Sequence, residues 1–151
     1  MLRLSFFKVI LLSTFRDNCE PIRQVPDWIV KLPMKYVEIL REVYIAINEH
    51  LFILSLTGIR TLLDTYIVDK IGDVGTFKQK LTRLVTDGII TSSKVSVLET
   101  AIDAGNASAH RGYKPDKKTL FQILDIVENL LQSEIVDRNA VQIKQKTPLR
   151  K

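Results

Sequence analysis

The spacing of apolar residues limits this chain to a helical fold more strongly than any other feature of its sequence. Between residues 26 and 136, aliphatic and aromatic side chains recur every three or four positions, which places them along one side of an α-helix. The alternation typical of strands is absent after residue 25. The pattern therefore predicts an all-α fold, an antiparallel bundle of about five helices.

The first two predicted helices are separated by a polar break at residues 48–50. The second is expected to run from about Leu51 to Ile71, and Gly72 ends it in the left-handed conformation that favours glycine. The stripe of the first helix is Val37, Leu40, Tyr44, Ile47 and Leu51. The stripe of the second is Phe52, Leu56, Ile59, Leu63, Tyr66 and Ile67.

Three further helices follow, each with its own start signal. Thr76 and Gln79 have the spacing of a capping box, which predicts the start of a third helix that Gly88 closes. Residues 91–93 supply hydroxyls to cap a fourth helix, and Asp116 begins the fifth. The fifth stripe is the clearest in the chain: Leu120, Ile123, Leu124, Val127, Leu130, Leu131 and Ile135.

Residues 1–25 form an apolar N-terminal segment and a linker that precede the bundle. The first fifteen residues are rich in β-branched and aromatic side chains, which is typical of a short strand or of a segment that docks on the helical body. The alternative is a cleaved leader, but Lys8 interrupts the apolar run and no small-residue cleavage site precedes Arg16. No run reaches the roughly 18 apolar residues of a membrane helix, so no membrane partner is expected.

The net charge of +5 comes from the C-terminus. Residues 138–151 contain five basic residues and no acid, whereas residues 1–137 contain 17 residues of each sign. We therefore separate a basic tail, residues 137–151, from the bundle at residues 26–136. The tail is expected to be a solvated terminus, because no aromatic residue accompanies its charges to stack on the bases of a nucleic acid.

Few residues are available for metal or redox chemistry. Cys19 is the only cysteine, and the two histidines, His50 and His110, have no cluster of carboxylates around them in sequence. Phosphate-binding glycine loops and zinc-protease helices are also missing. We expect no metal and no cofactor, and a soluble, cytoplasmic domain.

Residues 104–110 are the first candidate site. They combine small residues with Asn106 and His110, which lie on one face if the fourth helix continues through them. In that arrangement His110 acts as a general acid or base, and Asn106 orients it or a substrate hydroxyl. The structural alternative is that Asn106 caps the helix and His110 donates a hydrogen bond to a neighbouring helix.

Arg60 and Asp64 are the second candidate site. They are four residues apart on the second helix among apolar neighbours, so we expect a partly buried ion pair. The pair is predicted to anchor this helix against the fourth one. The alternative is that the guanidinium is presented to an anion.

Four segments together resemble one bacterial family. They are residues 58–64, 77–84, 88–90 and 105–110. Their order and spacing are similar to the group known as domain of unknown function 4145, within the wider HEPN superfamily (higher eukaryotes and prokaryotes nucleotide-binding). The resemblance spans residues 26–136.

This resemblance implies a homodimeric antiparallel bundle, with the Gly105–Asn106 segment near the interface, and relatives that accompany restriction, toxin–antitoxin and phage-defence proteins. Active HEPN relatives cleave RNA without a metal: a histidine moves the 2′-hydroxyl proton, and an arginine that precedes it, with four to six residues between the two, stabilises charge on the phosphorane. Here Asp103, Ala104 and Gly105 occupy that window, and none is arginine. A missing donor of this kind costs a factor of about 10² to 10³ in rate.

Three functional hypotheses follow. The leading one is a non-catalytic HEPN-like module that acts by homodimerisation and by binding RNA, a nucleotide or a defence protein. The alternative is a metal-independent ribonuclease with His110 as the proton-transfer residue, Asn106 as its orienter and a relocated Arg60 as the electrophile. The third is a purely structural dimer in which the small residues around Gly105 allow close packing.

Overall fold

In a computed structural model, residues 20–148 are described, and they fold into helices joined by short connections. A short 3-10 helix, Asp27–Lys31, precedes five α-helices: α1 (Met34–Asn48), α2 (Phe52–Ile71), α3 (Phe77–Thr86), α4 (Ser92–Arg111) and α5 (Lys117–Lys146). No strand occurs within residues 20–148, so the predicted all-α bundle of five helices is confirmed. The strand or docking segment predicted in the first fifteen residues lies outside the described part of the chain.

Helix α2 is the centre of the bundle. It packs against all four other α-helices, and buried residues are distributed around its circumference rather than along a single stripe. Both of its ends lie where they were predicted: α1 stops at Asn48, His50 turns the chain with a positive φ of 59°, and Gly72 follows α2. The φ of Gly72 is positive at 78°, but its ψ of 168° is outside the left-handed helical region, so the predicted left-handed stop is wrong in conformation. Among the described helices, none is both long and apolar enough to cross a membrane.

Side-chain caps set two of the helix starts where they were predicted. The Thr76 hydroxyl accepts a hydrogen bond from the backbone N–H of Gln79, and the Gln79 side chain accepts one from Thr76, which completes the capping box of α3. Asp116 accepts the N–H of Thr119 at 2.8 Å and begins α5. Thr91 is at the cap position of α4, but its hydroxyl lies 2.9 Å from the Ser93 hydroxyl and caps no backbone amide.

Helix α5 is longer than the apolar stripe indicated. It continues ten residues beyond the expected boundary at residue 136 and ends at Lys146. Every residue from 136 to 148 is exposed, so most of the basic tail forms a solvent-exposed helical extension of α5. Near its start Arg138 donates to the carbonyl oxygen of Lys31 in the 3-10 helix at 3.2 Å. Helix formation is cooperative, and a helix already packed along Leu120–Ile135 propagates into the tail without a new nucleation step.

A buried polar network attaches the linker before the 3-10 helix to the bundle. Tyr44 on α1 donates its hydroxyl proton to Glu128 on α5, and Arg23 donates to the other Glu128 oxygen at 2.7 Å. Arg23 also pairs with Asp125 at 2.5 Å, and its backbone N–H donates to the Asn48 side chain at 3.0 Å. These bonds hold the linker across the junction of α1 and α5.

The buried tyrosines make stability sensitive to alkaline pH. Burial, followed by the nearby charges of Glu134 and Asp137, raises the pKa of Tyr66 to about 12. Burial and a hydrogen-bonded carboxylate also raise the pKa of Tyr44 and of Tyr36 above the ordinary phenol value. The folded state therefore favours the neutral phenols, and this stabilisation is complete below about pH 10 and is lost as the pH rises through the folded pKa values.

We expect the free energy of unfolding to be insensitive to these groups from pH 8 to 10. Above pH 10 it falls with a slope of up to about 1.4 kcal/mol per pH unit for each titrating tyrosine. Urea denaturation at a series of pH values measures this slope, and Tyr66→Phe should reduce it. A stability that stays constant from pH 9 to 12 would show that the phenols do not ionise on unfolding.

Candidate functional site

Helices α2 and α4 approach each other closely at Gly105. A Cβ atom on Gly105 would lie 2.5 Å from Cβ of Arg60 and 3.1 Å from its Cγ, so no side chain fits there without movement of α2 or α4. The two helices run in opposite directions, because Arg60 lies beside Gly105 whereas Ile53, earlier on α2, contacts Ser108, later on α4. The small residue at position 105 thus sets the spacing of this antiparallel crossing.

Arg60 uses that close approach to join the two helices. Its Nε donates to Oδ1 of Asn106 at 2.5 Å, and its Nη1 lies 3.2 Å from Oδ2 of Asp64. The side chains of Arg60 and Asp64 are 31% and 41% exposed. We call Arg60, Asp64 and Asn106 the Arg60 bridge. In this bridge, which lies at the edge of the crossing, Asp64 offsets the charge of Arg60. The amide of Asn106, from the opposite helix, orients the guanidinium.

Asn106 lies inside α4 and does not cap it. The helix continues through Asn106 to Arg111 and ends at Gly112, whose φ of 63° is left-handed. The capping alternative for Asn106 is therefore wrong, because five more helical residues follow it. Asn106 and His110 do lie four residues apart on one continuous helix, as the other interpretation required.

His110 is separate from the Arg60 bridge. It lies on the last turn of α4 with an exposed side chain, and its ring forms no hydrogen bond with any residue between 20 and 148. The expected hydrogen bond to a neighbouring helix is not found in this range. The adjacent Arg111 projects about 100° further around the helix axis. The structure thus joins Arg60, Asp64, Gly105 and Asn106, and leaves His110 facing solvent.

Two contacts of α2 were not recognised from the sequence. Ser108 is buried, and its hydroxyl lies 2.8 Å from the carbonyl oxygen of Tyr113 and 3.2 Å from that of Ile53, which ties the end of α4 to the start of α2. Gly58 sits on the other side of α2, where a Cβ atom would lie 2.7 Å from Cγ2 of Val43 on α1. Two sequence features could have indicated these contacts. Ser108 follows Gly105 by three residues, and Gly58 is a glycine within a predicted helix.

A shallow groove lies apart from the Arg60 bridge, between α4 and α5. Its volume is about 280 Å³ and it shares no residue with the bridge. Its lining is Lys94, Val97, Leu98, Asp125, Ile126, Asn129 and Leu130. Within residues 20–148 no group of three or more histidine, cysteine and acidic side chains is placed to hold a metal ion.

The structure is an all-helical bundle in which α2 and α4 cross closely at Gly105, and the Arg60 bridge links the two helices at this crossing. Residues 41–150 match the family described as Domain of unknown function (DUF4145). The match covers more than half of the chain, so the chain belongs to this family. No curated protein and no solved structure matches it.

Proposed function

We propose that this chain is a HEPN-like helical module that acts by binding and not by catalysis. In this proposal it forms a homodimer and engages RNA, a nucleotide or a defence-associated protein in the cytoplasm. The observation that carries the non-catalytic part is the state of Arg60. Its Nε is bonded to Asn106 and its charge is offset by Asp64, so the guanidinium serves the fold.

The surroundings of His110 support the same conclusion. Catalysis by this type of site requires a donor aimed at the charge that develops in the transition state, in a site that excludes water. His110 is exposed, and the three positions expected for a partner arginine, residues 103–105, contain none. An isolated, solvated imidazole supplies proton transfer without the charge stabilisation that makes it effective.

Incubation of the purified chain with single-stranded RNA in EDTA tests this proposal. We expect the RNA to remain intact with the wild-type chain and with His110→Ala alike. His50→Asn is a matched control, because it removes the other exposed histidine and asparagine tolerates the left-handed backbone at position 50. RNA that is degraded by the wild type and by His50→Asn, and spared by His110→Ala, would contradict a binding module.

A metal-independent ribonuclease is the second candidate, and one observation favours it. Arg60 donates to Asn106, and Asn106 and His110 are four residues apart on α4, which is about one helical turn. In this candidate His110 transfers the proton, Asn106 orients it and Arg60 stabilises the phosphorane. The Asp64 carboxylate beside Arg60 opposes the approach of a phosphate.

Arg60→Ala separates the two candidates. If Arg60 is an anchor, the substitution lowers the free energy of unfolding by about 1 kcal/mol or more, because the hydrogen bond to Asn106 is lost. Nuclease activity then does not change. If Arg60 is an electrophile, nuclease activity is present in the wild type and disappears while the urea midpoint is unchanged. Arg60→Lys serves as the control for charge, since it keeps the cation and removes the Nε donor.

A further inference from the structure

The helical extension of α5 carries an exposed apolar stripe. Val136, Ala140 and Ile143 are spaced by four and then three residues, which places them along one line of the helix. Val136 is 57% exposed and Ile143 is 65% exposed. An apolar stripe on one side of an otherwise polar, exposed helix is suited to pairing with another helix.

The spacing of the stripe is that of a coiled-coil seam. With Val136 and Ile143 at position d of the heptad and Ala140 at position a, the flanking position e is occupied by Asp137 and Lys144. These two residues are opposite in charge and seven residues apart, on the same side of the seam. This arrangement is self-complementary when the same helix is paired with itself in the reverse direction.

We infer that residues 136–147, the end of α5 with its C-cap Thr147, form an antiparallel pair with the same residues of a second copy of this chain. In this pair Ala140 of each copy packs against Ile143 of the other, and Val136 of each copy lies opposite Thr147 of the other. Position e faces position e in an antiparallel coiled coil, and therefore each Asp137 faces Lys144 of the other copy. The interface is isologous and closes as a two-fold dimer.

Other pairings fit the same residues less well. In a parallel pair, position g faces position e, which sets Asn139 against Lys144 and Gln132 against Asp137, with no opposite charges. A membrane-surface helix uses large aromatic and leucine side chains, and a nucleic-acid surface uses aromatic stacking. The stripe has only valine, alanine and isoleucine. The second copy is the partner that accounts for both the apolar seam and its charges.

This inference rests on the homodimerisation stated in the proposed function and names the surface through which the two copies associate. The segment is about 16 Å long, so the interface is small and we expect weak, concentration-dependent association. Sedimentation equilibrium of the full chain from about 1 μM to 1 mM measures it. Val136→Asp should weaken the dimer by at least about tenfold, because it places a charge in the seam.

Val141→Asp is the matched control. Val141 is 57% exposed, the same as Val136, and lies on the same helix about 140° away from the seam, so its substitution should leave the dissociation constant unchanged. Both positions are exposed, and circular dichroism should report an unchanged helical fold for each variant.

A charge exchange tests the antiparallel register. Asp137→Lys should weaken the dimer, and addition of Lys144→Asp to the same chain should restore it, because each pair then has its charges reversed. Equal dissociation constants for Val136→Asp and Val141→Asp would overturn the inference and leave homodimerisation through another surface intact. A chain that stays monomeric at every concentration would contradict both the inference and the proposed homodimerisation. Binding to phosphatidylserine vesicles that depends on Val136, without self-association, would also contradict both.

Discussion

Gly105→Leu is expected to lower the free energy of unfolding by about 3 kcal/mol, measured by urea denaturation. The Cβ atom alone would lie 2.5 Å from Cβ of Arg60, which is fixed to the α2 backbone and cannot rotate away. The leucine therefore forces α2 and α4 apart and disrupts the bond between Arg60 and Asn106 as well. Overpacking of this kind costs about 1–3 kcal/mol, and the lost bond adds to it, while the better helix propensity of leucine returns less than about 1 kcal/mol.

Ala109→Leu provides the control for this prediction. It introduces the same side chain on the same helix, four residues along at an exposed position, and should change stability by no more than about 0.5 kcal/mol. If the two leucine variants are equally stable, the α2–α4 crossing is wider than the structure has it, and the Arg60 bridge does not form.

Glu128→Ala should be about as damaging, with a loss of about 3 kcal/mol. The Glu128 side chain is only 12% exposed and accepts from both Tyr44 and Arg23. Its removal leaves a buried phenol without an acceptor and a partly buried guanidinium with one carboxylate fewer. Removal of one partner from a buried charge pair costs about 3–5 kcal/mol, and the residual pair of Arg23 with Asp125 places the expectation at the lower end.

Asp125→Ala is the matched comparison, because Asp125 pairs with the same guanidinium. Its side chain is 58% exposed, so the loss should be no more than about 1 kcal/mol. Thermal or urea denaturation of the two variants side by side measures the difference. Equal losses in the free energy of unfolding would mean that the burial of Glu128 adds nothing to stability. They would also mean that the polar network does not hold the linker to the bundle.

The helices themselves were predictable because the signals that define them are local. The apolar stripes, the capping box at Thr76 and the stops at Gly72 and Gly88 each depend on residues within a few positions of one another. The end of α5 was not predictable in this way, because the apolar stripe of the bundle stops at Ile135 while the helix does not. The basic charges of the tail suggested a frayed terminus and obscured the second, narrower stripe beyond it.

Long-range partners were harder to predict than helices. Arg23 and Glu128 are 105 residues apart, and no periodicity connects a linker arginine with a carboxylate on the last helix. Arg60 and Asn106 are 46 residues apart, yet the expectation that Arg60 anchors α2 to α4 agrees with the contact, because a charged pair among apolar neighbours needs a partner. The exposure of His110 depends on where α4 ends relative to α2, which sequence spacing does not specify.

The central claim is that the Arg60 guanidinium belongs to the fold and not to a substrate. Nuclear magnetic resonance of the chain labelled with ¹⁵N-arginine tests this directly through the Nε–H signal of Arg60, which Arg60→Lys assigns. We predict a signal that exchanges slowly with solvent and keeps its position when single-stranded RNA is added, because Asn106 already accepts this proton. A rapidly exchanging signal that shifts saturably with RNA would contradict the claim and favour the ribonuclease.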